Sequence, residues 1–188
     1  MKWKLEEITA FTNARLSKKR FTHVKGVIQT AEELAERHGV NVADAHLAAL
    51  LHDIAKEQNI QQVKRILKVK EEYDYLENSS KVWHAPVGAI VAQETFGIGN
   101  ADILNAIRFH TTGRPEMSDL EKVLFVADYT EPNRTYEGCI AVRELWDDLD
   151  QATYEILKQK IEKITATDGK IHPDTVAAYA YYKALKGA

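Results

Sequence analysis

A single cysteine, Cys139, stands in the 188-residue chain, so it can form no internal disulfide and no cysteine-based zinc site. Long apolar runs are missing too. The longest uncharged stretch, around Val82 to Gln93, falls well short of the roughly 20 residues a membrane-spanning helix needs. The N-terminal MKWKLEEITAFT carries charges where a secretory leader needs its apolar segment. Neither sign of charge dominates, and a net charge of -3 gives no global reason to expect nucleic acid or an anionic membrane as a partner. Hairpin turns, internal repeats, low-complexity linkers and charge blocks are also lacking. With 45% hydrophobic and 28% charged residues, the composition is that of a soluble, cytoplasmic globular protein of one domain.

Helix signals run along almost the whole chain. Ser17 can cap a helix whose apolar residues Phe21, Val24, Ile28, Ala31 and Ala35 recur at three and four, ending at Gly39. Asn41 caps the next, from Val42 to about Glu57. Further helical patterns cover Ile60 to Lys68, Glu71 to Glu77, Pro86 to Phe96 and Ala101 to His110. The stretch KVLFVADY reads as strand or helix; the capping box Ser118-Asp-Leu-Glu121 before it and Pro132 after it select helix. Gly138 to Leu145, Leu149 to Thr165 and Pro173 to near Leu185 complete an all-α domain of eight to ten helices.

Several polar residues do not fit a plain bundle. In AALLHDIAKE (48–57) an apolar stripe of Ala and Leu carries His52 and Asp53, and burying such groups is costly unless they are paired or bind a metal. On a continuous helix His52, Asp53 and Lys56 share one face. The imidazole and the carboxylate can then hold one cation, and the lysine an anion that the cation also touches. Two ligands do not make a site, so others must come from elsewhere. His23, His84, His110 and Asp128 are the candidates. A lone histidine in a helical protein is more often structural, whereas Asp128 near a helix C-terminus opposes the dipole, which favours a functional role. His38, His46 and His172 have no such company and read as structural or exposed.

His23, the His52-Asp53 pair and Asp128, in that order on three helices, resemble the signature of the HD superfamily of metal-dependent phosphohydrolases. RFTHV, HDIAKE, WHAPVGA, IRFHTTG and ADYTEPNR together look like the bacterial YqeK-type members, hydrolases of diadenosine tetraphosphate. The likeness runs from about Leu16 to Lys183. It implies a helical HD domain over 1–188, with a core of about 16–135 on which helices of 136–188 pack. It implies a metal held by His23, His52, Asp53 and Asp128, with His84 and His110 completing a second metal position, contacting phosphate or protonating the leaving group. The metal would be one or two divalent or trivalent ions. Nitrogen and oxygen ligands suit iron, manganese, cobalt or zinc over magnesium or calcium, and the resemblance favours iron. Such an ion brings the pKa of its water from 15.7 to around 7.

The substrate implied is a small dinucleoside polyphosphate split symmetrically into two ADP. Lys56 and Arg134 belong to the family pattern as phosphate cations, and Arg20, three residues before His23, is a further candidate. Thr111, Thr112, Tyr129 and Thr130 could contact base, ribose or phosphate, or simply pack. Other HD-type activities (a nucleotidase, a cyclic-nucleotide phosphodiesterase, an alarmone hydrolase) share the metal core, and a non-catalytic nucleotide-binding module is the alternative outside enzymes. The full ligand set with Lys56 argues against the last. Trp3, Phe11 and the tyrosines of AAYAYYKAL offer a surface for a homodimer, although tyrosine at helical spacing is more often core.

Overall fold

The structure, a computed structural model, describes residues 3–186. Eleven α-helices follow one another: α1 (Leu5–Arg15), α2 (Lys18–His38), α3 (Val42–Leu51), α4 (Ile60–Val69), α5 (Tyr73–Leu76), α6 (His84–Phe96), α7 (Ala101–Phe109), α8 (Asp119–Thr130), α9 (Glu137–Arg143), α10 (Leu149–Thr165) and α11 (Pro173–Lys186). One turn of 3-10 helix, Ser80–Val82, precedes α6. The all-α expectation holds, and no strand occurs among the described residues.

The caps follow the sequence signals. Ser17 Oγ accepts the Arg20 amide at 3.2 Å, Asn41 accepts that of Asp44 and Asn100 that of Asp102. Ser118 and Glu121 close a reciprocal capping box on α8. Gly39 ends α2 with φ +66°, a left-handed conformation that glycine adopts without steric cost.

α8 is the axis of the fold. Leu120, Val123, Leu124, Phe125, Val126 and Ala127 are all buried, the pattern of a helix surrounded by partners. It packs against α2, α3, α7 and α10. A smaller cluster of Ala55, Val63, Leu67, Tyr75 and Val87 closes the other end of the core.

Two expectations need correction. α3 stops at Leu51 and does not reach Glu57. Beyond it the Ile54 amide bonds Leu51 O at 3.1 Å and the Lys56 amide bonds Asp53 O at 2.9 Å, so three-residue turns replace helical bonding. This compact turn lies against α6, where a Cβ at Gly88 would meet the His52 carbonyl oxygen at 3.3 Å.

The second correction is α1, hidden in a segment whose charges only argued against a leader. Glu7 accepts the Lys4 amide at its start, and Ile8 and Thr12 are buried. Trp3 and Phe11 are accordingly not free: both stand edge to face with Phe96, at 5.3 and 5.2 Å between ring centroids. Tyr182 is buried and accepts the Met117 amide, while Tyr179 stacks on Tyr154. These rings are engaged within the chain, and Trp3, Phe11, Tyr179 and Tyr181 keep part of their surface exposed. No described helix is long and apolar enough to cross a membrane.

Leu124→Ala is expected to destabilise the fold by about 2–5 kcal/mol and Ser118→Ala by about 1 kcal/mol. Urea denaturation measures both, and near-equal losses would contradict the central burial of α8.

Candidate metal and phosphate site

Five segments meet at one end of α8. His23 comes from α2, His52 and Asp53 from the turn after α3, His84 from the first residue of α6, His110 from the cap of α7 and Asp128 from the last turn of α8. Asp53 is their common point. Its Oδ2 lies 3.4 Å from His52 Nε2 and 3.7 Å from His23 Nε2, and its Oδ1 lies 3.1 Å from His84 Nε2 and 3.9 Å from His110 Nε2. Two donor groups therefore share one carboxylate, His23-His52-Asp53 and Asp53-His84-His110, each with its donor atoms within 4.8 Å of one another. Asp128 Oδ1 joins the first group, 3.1 Å from His23 Nε2 and 4.0 Å from His52 Nε2.

The donors are poised for a cation. His52 Nδ1–H donates to Ala49 O at 2.6 Å and His110 Nδ1–H to Ile107 O at 2.7 Å. His23 Nδ1–H donates to Glu131 Oε1 at 3.2 Å. Each bond selects the tautomer that leaves a lone pair on Nε2, the arrangement found around metal-ligating histidine. The Nε2 atoms of His23 and His52 are buried without a hydrogen-bond partner. Buried polar atoms are seldom left unpaired. A cation between them and the two carboxylates would satisfy all four, so the residues present fit a metal.

The electrostatics agree. Burial pushes Asp53 upward, but His52 and His84 reverse this and hold it well below the usual carboxylate range. Asp128 is likewise well below it, burial being overcome by His23, Arg134 and His52. Burial draws both His84 and His110 down from the usual histidine range, His110 further. His52 alone moves up, against its burial, under the pull of Asp53 and Asp128. That pull favours a proton in the absence of metal, and the same field favours a metal cation in the proton's place.

Cations ring the cluster. Arg20 Nη1 is 3.0 Å from Asp53 Oδ2 and Arg134 Nη2 is 3.0 Å from Asp128 Oδ1. Lys56 Nζ lies 3.4 Å from both ring nitrogens of His84, its pKa lowered by burial despite Asp53 nearby. A cavity of about 800 Å³ opens over His23, between Lys18, Lys19, Arg20 and Arg134.

All six expected donors and three expected cations thus converge. The hydroxyl residues fare differently. Thr130, two positions and about 200° around the helix from Asp128, is fully buried; its hydroxyl donates to Val126 O and accepts from Trp146 Nε1. Thr112 is fully buried as well. Neither presents a hydroxyl to a ligand. Thr111 borders a small cavity of about 160 Å³, and Tyr129 faces a cavity next to Asp128, its hydroxyl donating to Gln159 Oε1 at 2.6 Å.

Two residues escaped the sequence reading. Glu131, in TEPN, accepts from His23 with one oxygen and from the Asn133 amide and side chain with the other. It lies so close to α2 that a Cβ at Gly26 would displace its carboxylate. Lys160 arrives from α10, and burial lowers its pKa to about 8 although Asp128 pulls it up. Nothing local in its amphipathic helix marks it.

The comparisons with known proteins follow the same outline. Residues 20–133 match the HD domain family. A Bacillus subtilis protein named symmetrical bis(5'-nucleosyl)-tetraphosphatase is 42% identical over 176 residues, covering 93% of this chain and 95% of that protein. A Staphylococcus aureus protein of the same name is 32% identical over 182 residues, covering 95% and 94%. The crystal structure of an HD superfamily hydrolase from Clostridium acetobutylicum, described as involved in NAD metabolism, superposes with a TM-score of 0.92 at 35% identity, covering 97% of this chain and 98% of that one.

Adding Mn²⁺ or Fe²⁺ to chelator-treated protein is expected to raise its melting temperature, by the equivalent of about 2.7 kcal/mol at a hundredfold excess over the dissociation constant. Glu131→Ala is expected to weaken metal affinity roughly 10- to 100-fold, read by competition with a chromogenic chelator. An unchanged melting temperature with every first-row metal would show that the donors hold no cation.

Proposed function

Because the chain belongs to the HD domain family, we propose that the clustered donors bind metal and that the protein hydrolyses diadenosine tetraphosphate symmetrically, giving two ADP. The reaction adds one water across the central anhydride: the new P–O bond forms on one inner phosphorus, and ADP leaves from the other side. Similarity along almost the whole chain to proteins named for this activity supports the substrate. The observation that carries the chemistry is Asp53, shared between two histidine groups and ringed by cations.

His23, His52, Asp53 and Asp128 would hold the metal in this reading, and Asp53, His84 and His110 would offer a second position. Their nitrogen and oxygen donors suit iron, manganese, cobalt or zinc, and iron is the metal proposed. When bound, such an ion supplies Lewis-acid polarisation of phosphoryl oxygens and a more acidic water. The chain's own groups do the rest. Arg20 and Arg134 reach non-bridging oxygens from two sides, with forks that match phosphate. Lys56 adds a point charge beside His84. Together they offset the charge that builds on the phosphoryl oxygens as the leaving ADP departs. His84 and His110, whose burial disfavours the protonated form, suit ligation better than proton donation.

Chromatography of diadenosine tetraphosphate incubated with metal-loaded protein should show ADP alone; AMP with ATP would overturn the symmetric cleavage. NAD, the rival raised by the Clostridium relative, should remain intact in the same assay. Asp53→Ala and Asp128→Ala are expected to lose metal and activity together while the helical circular dichroism persists. Arg134→Met should keep its metal and lose on the order of a hundredfold in kcat, and an unchanged kcat would remove it from the site.

A further inference from the structure

A second cavity shares Arg134 with the one over His23. It measures about 430 Å³ and sits between the end of α8, the segment leading into α9, and α10. Asp128 forms its inner end, and Arg134 borders both cavities. Each falls within the size range of small-molecule pockets. Two cavities therefore border the donor cluster, one at His23 and one at Asp128, with Arg134 common to both.

The second cavity has the composition of a nucleotide site. Lys160 and Lys163 line it from α10, three residues apart and so on one face of the helix. Lys160 Nζ has no carboxylate within 4.0 Å among the described residues; its neighbours are the Thr111 carbonyl oxygen at 3.0 Å and the face of Phe125 at 4.2 Å. A half-buried ammonium with no carboxylate in contact, beside the cavity, is a place for an anion. The aromatic partner is Tyr136. It is 44% exposed and stands edge to face with Tyr129 at 5.6 Å, an apolar ring left open where a base can stack. Tyr129 is itself fixed by Gln159, which in turn donates to Gly138 O. A Cβ at Gly138 would collide with the Gln159 side chain, so the wall is built with no room to spare.

All the cavity residues except Asp128 and Tyr129 lie beyond residue 133, where the match to the HD domain ends. Given the symmetric cleavage proposed above, on which this inference rests, we propose that the cavity binds one ADP half of the substrate, with its phosphates on Lys160 and Lys163 and its base against Tyr136. The cavity over His23 takes the other half. The helices after the shared domain thereby select a dinucleotide from among the phosphate esters that the metal core alone would accept.

Calorimetric titration of the metal-loaded chain with ADP tests this without turnover. Two ADP per chain are expected. Lys160→Met, which keeps the apolar stem over Phe125, should weaken one of the two by about tenfold, with the other site, the melting temperature and the metal content unchanged. Lys163→Ala and Tyr136→Ala, both at exposed positions, should weaken the same site and guard against a folding defect in the first variant. One ADP per chain, or two sites indifferent to all three changes, would overturn the proposal. Failure of the symmetric cleavage is read separately, from the products that the unaltered protein forms.

Discussion

The carboxylate of Asp53 is the constraint around which the rest is arranged. It is almost completely buried, and a carboxylate taken out of water is tolerated only where positive or hydrogen-bonding partners surround it. Both oxygens are used: one faces Arg20, His23 and His52, the other His84 and His110. These partners arrive from α2, the end of α3, α6 and α7. No local segment could supply them, so the anion is stable only when four helix ends close on it. Asp128 repeats the arrangement on a smaller scale, with His23 on one side and Arg134 on the other.

The surrounding fold divides its labour accordingly. α2, α3, α7 and α8 contribute both the core and the donors, so packing and placement of the site are the same event. α9 and α10 pack on α8 from outside and bring charge and aromatic surface to its far side. All six donors precede residue 135, and most of the second cavity's lining follows it.

Much of this was legible in the chain, for physical reasons that differ from residue to residue. Caps such as Ser17, Asn41 and Ser118 are local chemistry and need no tertiary context. His52 and Asp53 announced themselves because charge inside an apolar run is expensive, and Arg134 because the family resemblance includes it. The end of α3 at Leu51 was not legible: AALLHDIAKE has unbroken helical spacing, and the turn that follows Leu51 shows only in its close packing on Gly88. Glu131 looked like an ordinary residue before a proline, since its partner His23 is 108 positions away. Thr130 was placed near the ligand by sequence proximity, and helical geometry turns it into the core. Lys160 belongs to a helix whose pattern explains itself without a ligand.

The early end of α3 has an effect beyond geometry. A helix that stops leaves its last carbonyls without amide partners. Here one of them, on Ala49, takes the Nδ1 proton of His52, three residues on; at the end of α7 the Ile107 carbonyl does the same for His110. Two imidazoles on two unrelated helices are thus set to one tautomer by main-chain atoms. No side-chain substitution can delete those acceptors. The chemical state of the site's nitrogens is written into where the helices stop, and any sequence that preserves those two endings keeps them ready to bind.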